Sequence, residues 1–160
     1  MALEIEHKFL LRNDTWRAQA DDGQRMCQGY LAGNERMSIR VRVAGDQAWL
    51  NIKHAQSMTV RREFEYAIPL TDAEEILAHV CEQGRVDKTR FRVPIDEHVF
   101  EVDVFHGDNE GLIVAEVELR HEGEHFPRPQ WLGEEVSDDH RYLNHSLATH
   151  PFCAWEQLQD

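Results

Sequence analysis

The sequence predicts a mainly β (α+β) fold, a closed eight-stranded antiparallel barrel with a few covering helices, and three observations carry that reading. Period-two alternation of apolar and polar residues recurs along most of the chain with short breaks, which is the mark of strands with two different faces. Helical periodicity is confined to a few short segments. Charged strand faces are sorted by sign, bases alone on Arg40/Arg42 and Lys88/Arg90, acids alone on Glu101/Asp103 and Glu116/Glu118.

The strands are expected at 2–11, 24–31, 36–43, 48–54, 60–68, 85–93, 99–105 and 112–120. Turn-forming clusters separate them: Asp21-Asp22-Gly23, Gly33-Asn34, Ala44-Gly45-Asp46, Pro94-Ile95-Asp96 and 107–111. Thr71-Asp72-Ala73-Glu74 reads as a capping box, with Thr71 as N-cap and Glu74 at N3, opening a helix that runs to Gly84 with Ile76, Leu77 and Val80 on one face. A second helix follows Ser137, carrying Tyr142, Leu143 and Leu147 before Pro151, and a short one spans 14–20. With no repeat, low-complexity tract or linker, residues 1–160 are expected to form one domain.

Thirty Asp and Glu against seventeen Lys and Arg leave a formal charge of -13, which disfavours nucleic acid and anionic membranes as partners. The first ten residues hold two Glu and no long apolar run, so neither a secretory signal nor a membrane span is expected there, and the location expected is cytoplasmic. Three widely spaced cysteines without a C-x-x-C pair argue against a disulfide framework or a zinc site. The ten histidines form no H-x-x-x-H and read mostly as surface.

Successive side chains of a strand point to opposite sides, so each strand can be sorted by face. Leu3, Ile5 and Phe9 oppose Glu4, Glu6 and Lys8; Ile39, Val41 and Val43 oppose Arg36, Ser38, Arg40 and Arg42. Lys53 falls with Asn51 and Trp49, Glu63 with Arg61 and Glu65, Lys88 with Arg90 and Arg92. Any one of these charged faces is compatible with the wet side of an ordinary antiparallel sheet. The sorting by strand is not, because like charges two apart on one face repel and surface strands mix signs. A ligand held inside explains it, and roughly eight strands is the size at which a sheet closes around one small guest. The apolar faces then point outward and require cover.

Glu4-Ile5-Glu6-His7-Lys8, an E-x-E-x-K strand, resembles the opening motif of the CYTH superfamily, the triphosphate tunnel metalloenzymes. The resemblance continues in order through Arg40-Val41-Arg42, Lys53, Glu63 and Glu65, Lys88-Thr89-Arg90, Glu101-Val102-Asp103 and Glu116-Val117-Glu118, and ends in Gly133-Glu134-Glu135-Val136-Ser137 with Tyr142, Asn144 and Leu147. It covers nearly the whole chain; the stretch 121–131 has no assignable counterpart. It implies a barrel whose lumen binds a linear triphosphate with divalent metal and cleaves it.

The resemblance also implies roles. Lys8, Arg40, Arg42, Lys53, Lys88 and Arg90 grip the phosphates, the guanidiniums as planar forks. Glu4, Glu6, Glu116 and Glu118 are hard oxygen ligands for Mg²⁺ or Mn²⁺, since carboxylates beside a polyanion repel it unless cations intervene. Glu63 either binds metal or pins a lumen arginine; Arg61, Glu65, Arg92 and Asp103 read as supporting ion pairs. Tyr30 is implied to pair with Lys8 in catalysis, against its alternative as a packing aromatic. The activity expected is hydrolysis of a small-molecule triphosphate, inorganic tripolyphosphate first. Class IV adenylyl cyclase and thiamine triphosphatase stand as enzyme alternatives, and a polyphosphate- or nucleotide-binding module as the non-enzyme one. Monomer and homodimer both stay open.

Overall fold

A computed structural model describes residues 2–155. Nine strands form one antiparallel sheet: β1 (Ala2–Leu11), β2 (Gln24–Gly33), β3 (Met37–Ala44), β4 (Gln47–Ala55), β5 (Val60–Ile68), β6 (Arg85–Ile95), β7 (His98–Phe105), β8 (Ile113–Leu119) and β9 (Leu132–Glu135). The order is β5-β4-β3-β2-β6-β7-β8-β1-β9, and a further β5–β1 pairing, from Ala2↔Glu63 to Ile5↔Val60, closes the first eight into a barrel. The eight expected strands are all present, with ends within two residues of expectation. β9 was not expected: it is only four residues long and pairs with Phe9 and Leu11, on the stretch of β1 beyond the β5 pairing.

Strand alternation decides what lies where. The apolar faces point outward and are covered in patches. Phe9, Phe100, Val102 and Val117 are buried under Trp16 and under Trp131, with Phe126 packed against them. The stretch 121–131 therefore serves as cover for the barrel wall. Helix α1 (Leu70–His79) lays Ala73, Ile76 and Leu77 over Val41 and Val43. Gly29 allows this approach, since a Cβ there would run into Cys81 Sγ and Leu77. Val86, Phe105, Leu112 and Val114 pack with Val136, Tyr142 and Leu147. Each large apolar side chain so buried contributes roughly 1.5–3 kcal/mol, which offsets the cost of charges held inside the barrel.

Two helix expectations are corrected. The Thr71 capping box does not form: the Ala73 N–H donates to the Pro69 carbonyl, so Thr71 already lies in the first turn and Pro69 stands as N-cap. The helix also stops at His79 rather than running to Gly84. After Ser137 there is no continuous helix but a 3₁₀ turn (His140–Tyr142), then extended Leu143 (ψ 137°), then α2 (Asn144–Thr149). This break lets Tyr142 and Leu147 reach the same outer patch while Asn144 turns toward the lumen. The 14–20 segment is a 3₁₀ helix, Thr15–Gln19, that seats Trp16. None of the described helices is long and apolar enough to cross a membrane.

A candidate anion-binding tunnel

The inward faces of the strands line a cavity of about 320 Å³. Nine Lys or Arg and eight Glu side chains line it, so the lumen is close to neutral and the chain's surplus of acid sits elsewhere. Every residue given a phosphate, metal or catalytic role from sequence, Glu4, Glu6, Lys8, Tyr30, Arg40, Arg42, Lys53, Glu63, Lys88, Arg90, Glu116 and Glu118, lines this one cavity, while Asp103, read as a supporting ion pair, lies behind it.

Register sets the partners. On the β7–β8–β1 side, Glu6 stands opposite Glu118 and Lys8 opposite Glu116, while Glu101 stands opposite Glu116. Lys8 Nζ lies 3.1 Å from Glu116 and 3.9 Å from Glu6, all three side chains being buried. Glu6 has too little cation for its burial: burial, then Glu116 and Glu4, push its carboxyl up to about 7. Glu118, exposed at the mouth, also rises to about 7, from partial desolvation and then from Glu4 and Glu6. Lys53 Nζ bridges Glu4 (3.3 Å) and Glu63 (3.7 Å).

The opposite side is basic, and its side chains are chained together. Asp103 takes Arg90 Nε at 2.8 Å, Arg90 Nη2 at 2.9 Å and Lys88 Nζ at 2.8 Å. Burial, with Arg90 and Arg42 adding to it, lowers the Lys88 ammonium to about 7 against the pull of Asp103. Arg42 donates through Nε and Nη2 to Gln28 Oε1, at 2.9 and 2.7 Å. Arg40 makes one long hydrogen bond, Nε to Asn51 Oδ1 at 3.4 Å, and has the Tyr30 hydroxyl, Glu63 and Glu4 near its guanidinium, but among the described residues no acceptor holds its two terminal amino groups at short range.

Three expectations change here. Arg90 was expected to offer its fork to phosphate; the fork faces Asp103, and Nη1 lies 2.9 Å from Glu101. Tyr30 was expected beside Lys8; its hydroxyl instead accepts from Gln28 Nε2 at 3.2 Å and its ring meets His145, while Lys8 is taken by Glu116. The acids do not form a ready metal cage: among the described residues no group of three or more His, Cys, Asp or Glu is drawn together for a metal ion. Glu4 and Glu63 share Lys53 and lie within reach of each other, and Glu116 leans on Lys8.

Sequence reasoning gave no role to Gln28, Asn51 and Asn144. Gln28 and Asn51 are fully buried amides, inward by the same alternation that flagged Tyr30 and Lys53, so their strand parity was the available signal. Asn144 opens α2 just after extended Leu143, and no periodicity reveals which way it turns there.

A closed antiparallel tunnel with an acid wall facing a basic wall defines a class of protein that holds a compact polyanion, with cations, inside a barrel. The CYTH domain family model matches residues 2–150, and the chain belongs to that family. It is 40% identical over 152 residues to an inorganic triphosphatase of Acetivibrio thermocellus, covering 95% of this chain and 97% of that protein. It is 36% identical over 154 residues to an inorganic triphosphatase of Nitrosomonas europaea, covering 91% and 96%. The crystal structure of the inorganic triphosphatase NE1496 superposes with a TM-score of 0.66 at 33% identity, over 93% of this chain and 96% of that one.

Proposed function

We propose that this chain, as one domain over 1–160, is a metal-dependent triphosphatase that hydrolyses inorganic tripolyphosphate to pyrophosphate and phosphate. The observation that carries the reading is the two-walled lumen, nine bases and eight glutamates turned into one cavity. An anion site alone needs no acid wall; a cation site alone needs no basic one. The relatives named inorganic triphosphatase share nearly the full length of the chain, which supports the same substrate here.

Arg40 and Arg42 have terminal donors left for phosphate oxygens, the geometry that suits planar guanidiniums. Lys53 and Lys8 supply point charges beside them. Arg90 and Asp103 act from the wall, fixing Lys88 and the local field. Glu4, Glu6 and Glu118 fit a hard divalent cation, Mg²⁺ or Mn²⁺. They are oxygen donors, and the upward push on Glu6 and Glu118 is a repulsion that a cation among them would relieve. Such an ion, when bound, neutralises phosphate charge and acidifies a bound water. Lys8, beside Glu116, would hold a phosphate oxygen as charge builds on the leaving group, a role that its position among the lumen bases supports.

Incubation with tripolyphosphate, ATP and thiamine triphosphate, each with and without Mg²⁺ or Mn²⁺, tests the reading by following phosphate, pyrophosphate and cyclic AMP. Metal-dependent release of phosphate and pyrophosphate, fastest from tripolyphosphate, is expected; cyclic AMP as the main product from ATP would replace hydrolysis by cyclisation.

A further inference from the structure

Four bases of the lumen belong to one hydrogen-bonded chain or lie beside it, and two neutral amides are its links. Arg42 donates to Gln28 Oε1 through Nε and Nη2. Gln28 Nε2 faces Asn144 Oδ1 at 3.5 Å, and Lys88 Nζ donates to that same oxygen at 3.0 Å. Lys88 Nζ then reaches Asp103, which holds Arg90. Gln28 also donates to the Tyr30 hydroxyl, the neighbour of Arg40 across the β2–β3 pair. The orientation of the Gln28 amide is forced, since its oxygen must meet the Arg42 guanidinium. Gln28, Lys88 and Asp103 have no exposed surface.

The charge count along this chain is unusual for a protein interior. Among the described residues Arg42 pairs with no carboxylate and Lys88 with Asp103 alone, which it shares with Arg90, while the other two acceptors are uncharged; the further acids, Glu101 at 2.9 Å and Glu116 at 3.7 Å, meet Arg90. Buried cations are ordinarily matched by carboxylates, and an Asp or Glu has the same size and the same acceptor oxygen as the Asn or Gln found here. A carboxylate at either position would suit the free protein better. It would also cancel the positive field that an anion needs.

We infer that Gln28 and Asn144 are positioning residues that aim Arg42 and Lys88 at the anion while leaving their charge uncancelled, so that the segment after Ser137, through Asn144, sets the strength of the phosphate grip. The inference rests on the triphosphatase reading and names residues of the same site.

The test compares Asn144→Asp with Asn144→Ala, and Gln28→Glu with the wild type. A residue that only holds the fold together gives one order for everything: Asp, which keeps the acceptor for Lys88, is milder than Ala. The inference predicts opposite orders. In melting temperature, Asn144→Asp stays at or above wild type and Asn144→Ala falls below. In affinity for tripolyphosphate, Asn144→Asp and Gln28→Glu are weakened at least tenfold and Asn144→Ala less. Affinity is read by calorimetry with metal chelated, so no turnover is needed and the comparison holds whichever triphosphate the enzyme prefers to cleave. Affinity that follows the stability order, or wild-type affinity in both carboxylate variants, overturns the inference. Absence of hydrolysis by the wild type with metal, beside intact tripolyphosphate binding, would instead strike the triphosphatase reading alone.

Discussion

The Asp103 carboxylate occupies both inner donors of the Arg90 guanidinium, Oδ1 with Nε at 2.8 Å and Oδ2 with Nη2 at 2.9 Å. Lys88 adds a third bond to the same carboxylate, at 2.8 Å. One buried acid therefore anchors two buried bases of a wall that faces the lumen.

Removing that acid leaves Lys88 without its carboxylate and Arg90 with Glu101 and Glu116 alone. Asp103→Asn is expected to destabilise the protein by about 3–5 kcal/mol, the cost typical of breaking a buried ion pair from one side. Arg90 and Lys88 also hold Asp103 below its ordinary value of 3.8 in spite of its burial. A depressed carboxyl adds stability that is present above its unfolded value and is lost as the pH falls through the folded one. Denaturant midpoints measured from pH 7 down to pH 3 should show the wild type losing stability below about pH 4 and Asp103→Asn losing less of it. Equal acid sensitivity in the two proteins would count against the pairing.

Arg40 and Arg90 should respond differently to the same conservative change. Arg40→Lys keeps the charge but loses free donors that face the cavity, so KM for tripolyphosphate should rise about 10-fold or more, the value of a lost charge-assisted bond of about 1.5–3 kcal/mol. Arg90→Lys loses the fork that Asp103 holds, and the effect should appear in melting temperature as well as in KM. Unchanged kinetics for Arg40→Lys would mean that its fork does not meet substrate.

Glu6 and Glu118 are lumen acids that desolvation and neighbouring carboxylates push up to about 7. Glu6→Gln removes a buried charge that its neighbours oppose, so melting temperature without metal should hold or rise while turnover falls by at least 10²-fold, as for loss of a group supporting the reacting centre. Turnover and stability falling together, read by activity and circular dichroism, would assign Glu6 to the fold instead.

Tyr30 should matter less than Lys8. Its hydroxyl accepts from Gln28 and lies beside Arg40 rather than meeting Lys8, so Tyr30→Phe removes a neutral hydrogen bond worth about 0.5–1.5 kcal/mol and a neighbour of the Arg40 guanidinium. Lys8→Ala, which strips Glu116 of its nearest cation and the lumen of a base, should cost far more activity across the whole pH range. Equal losses would restore the Lys8–Tyr30 partnership.

Which residues face the lumen was legible in the sequence, because a strand has period two and a barrel turns one whole parity inward: Glu4, Glu6 and Lys8, or Lys88 and Arg90, could be sorted without knowing any neighbour. Which of them meet was not legible. Arg90 opposite Asp103 and Glu6 opposite Glu118 follow from register between strands, and register depends on hairpin lengths and barrel closure rather than on local pattern. The Thr71 box matched its motif but lost to Pro69, whose carbonyl is available one turn earlier for the Ala73 N–H. β9 escaped because four residues containing Gly133 carry no alternation to read. Asn144 escaped because its role depends on the break at Leu143.

The most direct measurement is a ³¹P spectrum of tripolyphosphate incubated with the purified protein, with Mg²⁺ or Mn²⁺ and again with EDTA, alongside Glu6→Gln and Arg40→Ala. The tunnel reading predicts equal amounts of pyrophosphate and phosphate with metal, none with EDTA, and at most a small fraction of that rate in either variant. Intact tripolyphosphate after prolonged incubation with metal, or cleavage at the wild-type rate in both variants, would contradict it.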